Sequence, residues 1–292
     1  MSLCRFLPWR AMVALLGSLP FLFSCLAVSP PVSGALEGEH HWRGTVQIAG
    51  DLVVAEGAHL VIAPGSEIVF LPPIKGEGQW IEHPHFPGSE LIVRGSIVAE
   101  GTAAKPITFR YLDAAAPPGS WGGVNLVASP SARFRYCRFT QADSALHSQG
   151  STVFVEESLF EYNLVGIRFH SSEISIEHNL LRRNGTAIRF HFGAPVICRN
   201  DIRDNDKGFF VTSYPRDYRI EANNIVGNGR SVVLGEEVPD DLNLAGNFWG
   251  ETDPARIERD FVDGRKIEYL GRIRYRPFAA EPFADAGATW NR

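Results

Sequence analysis

The chain has 292 residues, with 28 Lys+Arg against 33 Asp+Glu and a formal net charge of −5. That mild acidity argues against nucleic acid as the main partner, because phosphate binding needs a basic face. The hydrophobic fraction, 45%, is ordinary for a globular protein, so the chain can bury a sizeable core as one large domain.

Arg5 and Arg10 flank the start of an apolar run, residues 11–24, that is too short to span a bilayer comfortably. Residues 1–24 therefore read as a signal peptide. Leu22-Phe23-Ser24-Cys25 resembles a bacterial lipobox, which implies that Cys25 is lipidated and becomes the mature N-terminus. The other reading is an ordinary secretory signal cut near residues 32–35. Both export the protein. The expectation is a cell-envelope lipoprotein, in the periplasm or at the outer membrane, touching the membrane through its lipid. Residues 25–41 are small, Pro-rich and aperiodic, as in a flexible tether.

From residue 44 the pattern changes. Residues 44–70 alternate Val, Ile and Leu at period two between Gly and Pro-Gly turns, and residues 89–112 repeat the pattern. Residues 72–88 interrupt it with an insertion carrying Trp80, His83, His85 and Phe86, and residues 113–118 form a shorter break. Trp80 is a candidate for stacking on a sugar ring. His83 and His85 are close enough to contribute to a metal site, against the plainer reading of a structural insertion.

Beyond residue 118 the chain repeats itself. Residues 153–169, 174–190, 196–211 and 219–234 share one grammar, with a weaker copy at 133–148 and a truncated one at 242–250. One asparagine column reads Asn179, Asn200, Asn223, Asn247, and a second reads Asn163, Asn184, Asn205, Asn228. Steps of 21 to 24 residues carrying three short strands each are the signature of a right-handed parallel β-helix. A leucine-rich repeat would need a Leu consensus that is absent. Stacked asparagines are expected to form a side-chain ladder at turns where they tolerate left-handed backbone. Cys137 and Cys198 fall in different coils and are expected as two buried thiols.

The run from "PGSEIVF" through "LIVRGSIVAEGTAAKPITF" and "SWGGVNL" to "NFWGETDPARIERDFVD" resembles exported bacterial β-helix repeat proteins of the pectate-lyase superfold. The resemblance spans about Trp42 to Phe278. It implies an all-β, single-stranded right-handed parallel β-helix of roughly eight to ten coils over residues 42–250. Residues 251–292 are then a C-terminal cap and tail. Asp253 is placed to cap a short helix begun by Pro254, and Trp249 to pack into the end of the stack. The superfold includes polysaccharide lyases, hydrolases, adhesins and periplasmic maturation factors for copper sites.

Candidate chemistry centres on a doubled pentapeptide, "GIRFH" at 166–170 and "AIRFH" at 187–191. If Ile167, Phe169, Ile188 and Phe190 point inward, Arg168, His170, Arg189 and His191 point outward. His147 joins the arginine column, and the next coil offers Phe210 and Thr212. Three readings compete: a solvated face, an anion-binding patch for an acidic glycan, and a catalytic or metal site. No carboxylate or thiol falls in these columns by counting, so no metal or other cofactor is expected. Clustered catalytic aspartates and a Gly-His-Gly, which a polygalacturonase-type hydrolase would show, are missing. Asp201, Asp204 and Asp206 read as turn residues. The expectation is a monomeric, non-catalytic protein that binds a glycan or an envelope protein through His147, Arg168, His170, Arg189, His191 and Trp80. The alternatives are a polysaccharide lyase using Arg168, His170, Arg189 and His191, and a scaffold for metallocentre maturation or cell-surface assembly.

Overall fold

Strands of three to six residues are too short to persist alone, so their stability comes from pairing with copies above and below. Within one coil, Leu159–Glu161, Val165–His170 and Glu173–Glu177 are strands joined by tight corners. Each pairs in parallel with its counterpart one coil on, Ile167 with Ile188 and Phe169 with Phe190. The computed structural model describes residues 30–73, 86–215 and 217–291. Over them the coils form a parallel β-solenoid of about 9 turns with three sheets. One sheet runs from Glu39–Trp42 to Arg219–Glu221. The other two are continuous through the long strand Thr45–Val54, whose first half pairs with Glu67–Leu71 and whose second half pairs with Glu90–Val93. Gly50, at φ 84°, turns the chain between the halves.

The inward residues stack in columns. Leu146, Ile167, Ile188, Phe209 and Val232 form one, all buried. Phe109, Phe139 and Phe160 form another, with rings stacked 4.5 and 4.8 Å apart and nearly parallel. Each such side chain contributes about 2 kcal/mol of burial, and the columns fix which coil sits on which. Cys137 and Cys198 are free and buried, as expected.

Both asparagine columns are ladders. Asn200 Nδ2 donates to Ile176 O at 2.8 Å, to Cys198 O at 3.1 Å and to Asn223 Oδ1 at 2.9 Å. Its Oδ1 accepts from Asn179 N at 2.9 Å and Asn179 Nδ2 at 3.1 Å. Asn163, Asn184, Asn205 and Asn228 repeat this at the other corner. The left-handed backbone, however, lies one residue earlier than expected. Tyr162, His178, Arg183, Arg199, Asp204 and Ala222 hold φ of 55–57°, and the asparagines themselves do not. The preceding residue takes the turn so that the carboxamide can swing inside and bond the carbonyls of its own and the previous coil. Asp201 opens the strand Asp201–Arg203 and pairs with Arg203, so it is not a turn residue.

The ends also differ from the sequence reading. Val32–Leu36 pairs with Thr45–Val54, and Glu39–Trp42 pairs with His59–Ile62. The solenoid thus begins within the stretch read as tether, because Val32, Leu36 and Trp42 pack on the first coil's core. At the other end Asp253 accepts a bond from Ala255 N at 3.0 Å and caps the helix Pro254–Arg259, with Pro254 in its first turn. Trp249 packs edge-on against Phe261 at 5.0 Å. Phe261–Val262 still pairs with Val232 and Val233, so coil pairing continues past residue 250. The tail then climbs back along one corner of the stack. Phe283 exchanges bonds with Asn224, Asp285 pairs with Arg199, and Trp290 Nε1 donates to Glu157 O at 2.5 Å. Residues 1–24, Cys25, Trp80, His83 and His85 lie outside the described residues.

Replacing Asn200 with Ala strands the Ile176 carbonyl and the Asn179 amide inside the stack. The expected loss is about 3 kcal/mol or more of unfolding free energy, read from urea denaturation.

Candidate functional site

Parallel pairing without register shift carries the outward residues of successive coils into line. His147 pairs with Arg168, Arg168 with Arg189, and Arg189 with Phe210. Beside them Gln149, His170 and His191 form a second line. The structure thus brings together the five Arg and His residues singled out from sequence. They line a groove of about 630 Å³ that runs along the stack.

The two arginines are held by rings rather than by carboxylates. Arg168 Cζ lies 5.5 Å from the centre of the Phe86 ring, and Arg189 Cζ lies 5.1 Å from that of Phe210. Among the described residues neither guanidinium makes an ion pair or a hydrogen bond. Cation–π contact orients a charge without neutralising it. Burial pushes the Arg168 pKa down, and the neighbouring Arg189 adds to this, while Asp143 opposes it.

The histidines stack on each other. The His170 and His191 rings are 4.9 Å apart and 13° from parallel, with Phe192 edge-on to His191 at 4.5 Å. Thr212 Oγ1 donates to Phe190 O at 2.9 Å and sits 3.3 Å from His191 Nδ1. With its one hydrogen so used, that hydroxyl accepts from Nδ1–H, which leaves Nε2 of neutral His191 with a free lone pair. Burial lowers the His191 pKa below 6.5; His170 and Arg189 lower it further, while Glu237 raises it.

His147 departs from the expected exposed ligand. It is 2% exposed, covered by Phe86, whose ring meets it edge-on at 5.2 Å. Its Nδ1 lies 2.9 Å from Asn125 Oδ1, and Asn125 Nδ2 donates to Glu90 Oε2 at 3.4 Å. Glu90 also accepts from Phe86 N at 2.6 Å. The fully buried Glu90 carboxyl is pushed up to about 8, first by burial and also by Asp51 and Asp143. Its space exists because position 122 is glycine: a Cβ there would meet Glu90 Cγ at 2.4 Å. Gly122 is therefore a close approach serving this buried acid, while a Cβ at Gly123 would meet the Ser144 carbonyl oxygen at 2.0 Å.

Carboxylates do reach the groove, contrary to the count from sequence. Glu236 and Glu237 line its far end. The cause is two bulges: His191 pairs with Ser213 rather than Thr212, and Ser213 with Glu237 rather than Glu236. Counting 21 residues per coil cannot find them. No group of three or more His, Cys, Asp or Glu placed to hold a metal ion occurs among the described residues.

A family model described as right handed beta helix region matches residues 122–244. These are the coils that carry nearly all of the groove, and the match fits the handedness expected from sequence. No curated protein and no solved structure matches the chain.

Two titrations follow. His191 is neutral in both states above pH 6.5, and below it the unfolded chain binds the proton first, so its contribution to stability is lost as pH falls. Its NMR midpoint should lie below 6.5, rise in Arg189→Gln and fall in Glu237→Gln. Glu90 acts in the opposite sense. Between pH 4.5 and about 8 the unfolded chain is ionised while the folded one keeps its proton, so stability falls as pH rises. Glu90→Gln should therefore melt higher than the parent at pH 8 and level with it at pH 4, by circular dichroism.

Proposed function

We propose that the protein binds an acidic glycan in this groove, without chemistry of its own, and does so at the bacterial cell envelope, anchored through Cys25. The carrying observation is the Arg168–Arg189 pair, two adjacent guanidiniums held on Phe86 and Phe210 with no carboxylate at ion-pair distance among the described residues. Two like charges stacked on one face are unfavourable by themselves and become favourable when a carboxylate bridges them. Arginine's planar fork suits that group. Phe192, 40% exposed, stands at the rim beside the histidine stack and offers a sugar ring an apolar face.

A second reading rests on His191. An imidazole kept neutral at pH 7, with a free Nε2 beside two arginines, is suited to abstract a proton next to a uronate carboxylate that the arginines neutralise. That is lyase chemistry. It would produce an unsaturated sugar, seen as rising ultraviolet absorbance on alginate, pectate or glycosaminoglycans.

A glycan array probed with the mature protein should show uronate-containing ligands. Arg168→Ala/Arg189→Ala should weaken them about tenfold or more, and added salt should weaken the parent's binding. Retained binding in the double variant would remove the groove from consideration. Absorbance that stays flat with all three polymers would remove the lyase reading.

A further inference from the structure

We propose that the groove selects a zwitterionic saccharide, one carrying an acidic group and an amine about two coil spacings apart, over a uniformly anionic chain. The inference rests on the acidic-glycan reading and narrows its ligand.

The charge along the groove inverts. Two successive coils present Arg168 with His170 and Arg189 with His191. The next presents Phe210 and Thr212, which are neutral. The one after presents Glu236 and Glu237, both exposed. Register places Ser213 against His191 and Glu237 against Ser213, so Glu237 stands two coils from His191, roughly 10 Å at ~4.8 Å per coil.

The acidic end is left for a ligand as the basic end is. Ser213 Oγ donates to Glu237 Oε2 at 2.7 Å and orients that carboxylate without neutralising it. Glu236 makes no ion pair among the described residues. Among the described residues the arginines lining the groove are Arg168 and Arg189, at its other end, and no lysine lines it. A polyanion long enough to pass Arg189 would bring its next charges against two carboxylates. An ammonium at that point is attracted instead. The neutral coil between holds the spacer, with Phe210 engaged by Arg189 and the Thr212 hydroxyl by Phe190 O. The exposed Phe192 ring, edge-on to His191 at the basic end, offers the sugar that carries the acidic group an apolar face.

The test uses tetrasaccharides of alternating glucuronic acid and glucosamine, with free amines or fully N-acetylated, titrated calorimetrically into the mature protein. The free-amine form should bind about fivefold tighter. Glu236→Gln/Glu237→Gln should abolish that preference; both substitutions are at exposed side chains, and glutamine keeps an oxygen to accept from Ser213 Oγ. If both forms bind equally and both weaken in Arg168→Ala/Arg189→Ala, the groove reading stands and the zwitterion proposal is overturned. If neither form binds, nor any other uronate, the acidic-glycan reading falls and takes the proposal with it. Tighter binding of a peptide bearing Glu and Lys at the same separation would overturn the saccharide assignment.

Discussion

The structure depends on holding every coil in register with the next, and buried asparagine amides do much of that work. A single coil cannot bury its own apolar side chains, so each must sit on a neighbour. Hydrophobic columns alone would tolerate sliding. Asn179, Asn200, Asn223 and Asn247 do not, since each carboxamide bonds a carbonyl of its own coil and both a carbonyl and an amide of the coil before. A slip by one residue would strand several buried polar groups at once. The corners accept the cost of left-handed backbone at the preceding residue for the sake of that lock.

Function-bearing alignment follows from the same lock. Arg168 and Arg189 adjoin because Ile167 sits on Ile188 and Asn163 on Asn184. The fold thereby overrides the repulsion between two guanidiniums, and the rings of Phe86 and Phe210 hold them in place. Beneath them runs a buried line, Glu90 to Asn125 to His147, with Phe86 tied to Glu90 through its backbone amide. With its pKa pushed up to about 8, the Glu90 carboxyl lends this line no formal charge at neutral pH, and Asp143 is the carboxylate that acts on Arg168.

The legible parts of the site were those that obey the repeat. Ile and Phe in the doubled pentapeptide are demanded by the core, which leaves Arg168, His170, Arg189 and His191 outward and stacked. His147 was legible in position and misread in environment, because its cover, Phe86, comes from the end of an insertion whose path no periodicity describes. Glu237 was invisible because two successive bulges, after Phe190 and after Val211, each shift the register by one place. Glu90 left a faint trace in Gly122, a close approach whose partner only the fold names. The climbing tail left none, since Phe283 and Trp290 carry no repeat and find their partners at distant corners.

The coil, its period, its inward columns and the two asparagine ladders were legible in the residue pattern alone. These are local patterns repeated often enough that one physical solution satisfies every copy. Only the tertiary structure decided which outward residues are covered, which charges remain without a partner, and where acid meets base along the groove. Those outcomes depend on insertions, bulges and chain ends, where no repeat constrains the path and the packing of distant segments chooses it.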